Sequence, residues 1–204
     1  MTPPSIAVIG GAGYIGSHAC KELHEQGFTP IVIDDFSTGH KDFVKWGPSF
    51  QCSLHDYESL CKIFTTQKPR AVMHFAAKID VAESTQHPHK YYYNNVSGTL
   101  TLLKAMIDSS IYSLIFSSTA AVYGNPLENR LSETHPCFPV NPYGKSKYAV
   151  EQIIQDFEKA YGLKSVIFRY FNAAGADPEC EIGENHSPET HLIPNIFFAA
   201  TGKK

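Results

Sequence analysis

Short, uninterrupted apolar runs alternate with longer stretches of helical periodicity along this chain. Ser5–Ile9, Pro30–Ile33, Ala71–Phe75, Ser113–Ser117 and Ser165–Phe168 are compact and rich in β-branched or aromatic residues, and Phe50–Cys52 is a weaker sixth run. Continuous apolar strands of this kind suit a parallel sheet buried on both faces. Between them, Ile15, Ala19 and Leu23 share one helical face, with Gly27 where a C-terminal cap belongs. Tyr91–Ser109 and Tyr143–Tyr161 are the two longest helical patterns. The alternation predicts an α/β fold built as an open, doubly wound parallel sheet.

Two stretches break the rhythm: Gly124–Pro142, rich in Pro, Asn and Gly, and the polar Ala174–His191. Loops this long in a compact domain are usually functional. Both follow the carboxyl end of an expected strand, where open α/β sheets bind ligands. Composition narrows the classes. A net charge of −3 with no basic run argues against nucleic acid or an anionic membrane as partner. Five scattered cysteines, Cys20, Cys52, Cys61, Cys137 and Cys180, read as reduced thiols. The N-terminus has no basic region and its first apolar run is broken by glycines, so neither a signal peptide nor a membrane span is expected, and these absences place the chain in the cytoplasm.

The first run leads into Gly10-Gly-Ala-Gly-Tyr-Ile-Gly16. Glycines at 10, 13 and 16 let a backbone turn tightly and approach a pyrophosphate, whose charge the amides of the following helix hold. Tyr14 and Ile15 lie within this loop. Asp34 and Asp35 end the second run, about 20 residues on, where a carboxylate accepts from a ribose 2′-hydroxyl. Strand, glycine loop, helix and acid together predict a Rossmann dinucleotide site that favours NAD over NADP.

Farther along, Asn141-Pro-Tyr-Gly-Lys-Ser-Lys147 opens the second long helix, with Asn141 as N-cap and Pro142 as first helical residue. Tyr143 and Lys147 are then adjacent on one face. A phenol is a weak base near neutrality, and a neighbouring cation lowers its pKa by about 1–3 units. Tyr143 is thus a candidate to take a proton from a hydroxyl as hydride leaves the same carbon. Ser117-Ser-Thr119 ends a strand upstream, so Thr119 can share a hydrogen bond with the substrate oxygen and Tyr143 while Ser117 faces the nicotinamide.

These segments resemble the extended short-chain dehydrogenase/reductase family, in its NAD-dependent sugar-nucleotide epimerase branch. The likeness runs through Gly10–Gly16, His74-Phe-Ala-Ala77, Glu83-Ser84, Tyr91–Asn95, Ser117–Gly124, Tyr143–Lys147, Arg169–Gly175, Asp177-Pro178 and Glu189–Pro194. It implies that Tyr143 is the acid/base, that Lys147 lowers its pKa and holds the nicotinamide ribose, and that Thr119 meets the sugar 4′-hydroxyl. Ser53, Leu54, Phe75, Ala76, Asn94, Ser117 and Tyr170 would complete the cofactor site. Asn172, His191 and Leu192 would reach the UDP of a UDP-hexose. The implied reaction interconverts UDP-glucose and UDP-galactose through a 4-keto sugar. Ala120 and Ala121 stand where related dehydratases carry acids, which favours epimerisation. Tyr91–Ser109 and Tyr143–Tyr161 would form a homodimer bundle.

The chain departs from the family pattern at Cys52-Ser53, where Gly-Asp is usual, at Lys78, and in length. Residues 1–175 are expected to form the NAD-binding domain, and 176–204 the start of a substrate region whose remainder supplies the hexose pocket. On that expectation the chain binds NAD and epimerises poorly. A non-catalytic NAD-binding module is the alternative from another class. Glu184, His186, Glu189 and His191 fit no trusted zinc spacing and are expected to form a solvated loop without metal. His74 is expected to be a packed core histidine, and the Tyr91-Tyr-Tyr and Ile196-Phe-Phe clusters to pack core or a dimer seam.

Overall fold

The computed structural model describes residues 3–186, 189 and 191–203. Six strands, β1 (Ser5–Ile9), β2 (Thr29–Asp34), β3 (Ser49–Gln51), β4 (Ala71–His74), β5 (Ser113–Thr119) and β6 (Lys164–Tyr170), form one sheet in the order β3-β2-β1-β4-β5-β6. Every pairing is parallel. The helices between them are α1 (Tyr14–Glu25), α2 (Tyr57–Gln67), α3 (Val81–Gln86), α4 (Pro88–Tyr91), α5 (Gly98–Asp108) and α6 (Pro142–Tyr161), and α7 (Leu192–Ala200) follows β6. Strand order reverses direction between β1 and β4, so the connections that leave their carboxyl ends run to opposite faces of the sheet and open a crevice.

The main core lies on one face of this sheet. Ile9, Ile31, Ile33, Val72, Leu114 and Phe116 pack there against Leu60 and Phe64 of α2, Leu102, Leu103 and Met106 of α5, and Val150 and Ile154 of α6. Each such side chain stabilises the fold by about 1.5–3 kcal/mol. The opposite face is covered unevenly. Val8, Ala12, Cys20 and Val32 pack together under α1. Along the register row Val8, Met73, Ile115 and Val166, exposure rises toward the edge strand, reaching 52% at Val166. The expectation of burial on both faces therefore fails for β6, because no helix among the described residues is packed over its Val166 and Phe168.

The pattern read over Tyr91–Ser109 is not one regular helix. A π-helical turn, Tyr92–Ser97, separates α4 from α5. The wider turn accompanies a close approach at Gly98, where a Cβ would lie 2.9 Å from that of Leu54. It also accommodates a buried polar side chain, Asn95. Tyr91 is buried, whereas Tyr92 and Tyr93 are exposed. Ile196 and Phe197 do not pack core either: α7 has no buried residue, and Phe197 is 65% exposed. Among the described residues no helix is long and apolar enough to cross a membrane.

Candidate functional site

The crevice is first a matter of glycine. Gly10 has φ +78°, and a Cβ there would meet the Ala76 nitrogen at 2.6 Å, so the loops after β1 and β4 touch through backbone. At Gly16 an added methyl would overlap the carbonyl of Gly10. Gly13 differs: a Cβ there would meet only the Gly10 oxygen, at 3.4 Å. A side chain at 13 would fill open space in front of the first amides of α1. That cradle fits a pyrophosphate.

Asp34 locks the loop in place. Its Oδ2 accepts from the Ala12 amide at 3.0 Å and its Oδ1 from the Phe36 amide at 2.8 Å. Burial raises its pKa, opposed by those two amides. A carboxylate has about four lone-pair sites, so capacity remains for ribose hydroxyls. Asp35 is exposed and accepts from the Ser37 amide at 2.8 Å. Ser53 spends its hydroxyl oxygen on the His55 amide at 3.2 Å, and Leu54 is buried beneath Gly98. Tyr14 donates to the Gly175 carbonyl at 2.6 Å, and Ile15 is half-buried on α1.

Across the crevice, Asn141 caps α6 by accepting from the Gly144 amide at 2.8 Å, with Pro142 as first helical residue. This brings the Tyr143 side chain to Thr119 at the carboxyl end of β5. Thr119 Oγ1 accepts from the Ala121 amide at 3.1 Å, which leaves its own proton to donate. Burial raises the Tyr143 pKa, and the neighbouring Thr119 hydroxyl opposes it. Lys147 lies wholly inside, its ammonium 4.6 Å from the centre of the Phe116 ring. Burial pulls its pKa down to about 7, against the attraction of Glu151.

Three further side chains hold this centre. Glu151, one turn beyond Lys147, is buried and accepts from Ser118 and from Arg169, the latter at 3.1 and 2.7 Å. Asn95 clamps residue 78 by accepting from its amide at 2.8 Å and donating to its carbonyl at 3.0 Å, and it also reaches Ser146 Oγ at 3.1 Å. His74 donates from Nε2 to Thr99 at 2.9 Å, since Thr99 gives its proton to the Asn95 carbonyl. Their signals were present only in part: Glu151 continues the i, i+4 spacing of Tyr143 and Lys147, whereas nothing local marks Asn95.

Phe75 and Ala76 line the β4 side and Asn94 donates to Asn95 at 3.0 Å. Ser117 is buried in β5, and Tyr170 pairs with Thr119 across β5 and β6. Lys78 spans the crevice to Ser37 at 3.4 Å. The expected UDP contacts are not gathered with these groups. Asn172 is exposed, Leu192 is 74% exposed, and the His191 ring is turned toward Glu184 and Glu189. Thr190, within the Glu189–Pro194 run, lies outside the described residues. The loop of Glu184 and Glu189 is not a solvated one: their side chains are 10% and 8% exposed.

Residues 6–203 match the model of the NAD dependent epimerase/dehydratase family. The chain belongs to that family. It is 50% identical, over all 204 residues, to UDP-glucose 4-epimerase of Rhizobium leguminosarum bv. trifolii, of which it covers 62%. Among solved structures, UDP-glucose 4-epimerase from Brucella ovis in complex with NAD superposes with a TM-score of 0.97 at 45% identity, covering 98% of this chain and 62% of that one. The Bifidobacterium longum enzyme in complex with NAD+ and UDP gives 0.93 at 33% identity, over 98% of this chain and 63% of that one. The family fold is thus present over the whole chain, which spans 62% of the length of the first relative.

Proposed function

We propose that this chain binds NAD and performs the acid–base half of UDP-glucose 4-epimerase chemistry, interconverting UDP-glucose and UDP-galactose through a 4-keto sugar. The observation that carries the reading is the convergence of Tyr143, from the capped start of α6, on Thr119 at the carboxyl end of β5, with buried Lys147 one turn along the same helix. Gly10, Gly13, Gly16 and Asp34 would hold the dinucleotide through backbone amides and one carboxylate. NAD supplies the hydride acceptor and donor for C4. Thr119 orients the 4-hydroxyl, and Tyr143 Oη takes its proton as the carbon becomes a ketone and returns it on reduction. An ammonium at Lys147 and the cationic nicotinamide ring both favour the phenolate that burial alone disfavours.

Residues 1–175 are the nucleotide-binding unit in this reading, and 176–204 belong to the UDP-sugar side. The exposed apolar row at β6 and α7 supports slow turnover by this chain. A coupled UDP-galactose to UDP-glucose assay, with native mass measurement of retained NAD and subunit count, tests the proposal. Wild type should retain NAD and turn over. Tyr143→Phe should keep NAD and lose about 100-fold or more of the turnover. Retained NAD with no wild-type turnover would leave a non-catalytic NAD-binding module.

A further inference from the structure

We propose that Glu184, His186, Glu189 and His191 bind one divalent transition-metal ion, with zinc as the ion whose preferences they meet. One ligand atom from each lies within 4.8 Å of all the others. His191 Nδ1 is 3.0 Å from Glu184 Oε1 and 2.8 Å from Glu189 Oε1. His186 Nδ1 is 3.5 Å from Glu184 Oε1 and 3.6 Å from Glu189 Oε2. Four ligands at zinc bond lengths of about 2.0–2.1 Å sit about 3.3 Å apart in a tetrahedron. The four imidazole–carboxylate separations fall on either side of that value, with Glu189 offering Oε1 to His191 and Oε2 to His186.

Hydrogen bonding alone leaves the cluster poorly matched. Two nearly buried carboxylates converge on the single Nδ1 of His191, which can serve only one of them well. His186 Nδ1 is buried and faces both carboxylates, yet it makes no hydrogen bond among the described residues. Two carboxylates and two neutral imidazoles around a dication sum to zero charge, the arrangement that partial burial favours. Mixed imidazole and carboxylate donors select zinc-like ions over calcium or magnesium, which take all-oxygen shells. The neighbouring acids Asp177, Glu179 and Glu181 need no ion, because Lys21 Nζ already meets them at 2.8, 2.6 and 3.2 Å.

A closed four-ligand site is structural. It would tie the start of α7, whose N-cap His191 makes no side-chain cap bond, to the loop over the crevice. That loop already touches the cofactor side, where His40 donates to the Asn185 carbonyl at 2.9 Å. The site does not depend on the epimerase reading.

The test uses the full chain stripped of metal by chelator. Calorimetric titration with Zn2+ should show one equivalent bound, and Co2+ should give the visible spectrum of a four-coordinate nitrogen and oxygen site without a thiolate charge-transfer band. His186→Ala and Glu184→Gln should each weaken binding by at least about 100-fold, while circular dichroism confirms their fold. Zn2+ should raise the Tm of the wild type and not of these variants. Sub-stoichiometric uptake, a thiolate band, displacement by excess Mg2+, or unchanged affinity in folded His186→Ala would each overturn the assignment.

Discussion

The two banks of the crevice are built on different physics. On one bank the glycine loop is shaped by excluded volume: backbone meets backbone at Gly10 and Gly16, and a single carboxylate, Asp34, ties two amides. On the other, α6 carries Tyr143, Lys147 and Glu151 on one face, and burial there works against the charged forms. The first bank is set by backbone contact, with Asp34 as its titratable tie. The second stores electrostatic tension that a substrate and a cofactor can release. In the proposed reaction binding would rest on shape and proton transfer on unfavourable desolvation, so the banks should fail differently.

Gly16→Ala sharpens the contrast most. The added methyl overlaps a carbonyl oxygen that cannot step aside, so unfolding free energy should fall by more than about 3 kcal/mol, at the upper end for overpacking. Denaturant melts would read it, and a loss that stayed the same from pH 6 to 9 would mark it as steric. Glu151→Ala comes next, at about 3 kcal/mol, because it strands Arg169 and Ser118. The low end of the buried-pair range applies, since the Arg169 side chain is 22% exposed. Removing the same carboxylate should also depress the Lys147 pKa further, which a shifted pH profile would show.

The third effect is a gain, and it would break the comparison if absent. Lys147 titrates near 7 in the folded protein against 10.5 for a free lysine. As pH falls through 10.5 the unfolded chain binds a proton that the folded protein refuses, and stability declines until about pH 7, below which the loss is complete. Lys147→Met removes that penalty. Its Tm should exceed wild type by several degrees at pH 7, with the gap closing toward pH 10.5. Equal melting at both pH values would mean that Lys147 is not electrostatically strained.

Much of this molecule is legible from local pattern. The strands, the glycine loop, the Asn141 cap and the Tyr143–Lys147 spacing each depend on neighbours a few residues apart, and such relations are written in order along the chain. The sheet order follows too, since β-strand and helix alternation leaves few right-handed arrangements. Tertiary contact alone decided the rest. Asn95 matters because a π turn brings it under residue 78, and Lys147 has a lowered pKa because the core buries it. The acids at 184 and 189 are sheltered, not solvated, and β6 is bare on the face that patterning marks as buried. Solvation is a property of everything within a few ångströms, and the chain reports only what is adjacent in sequence.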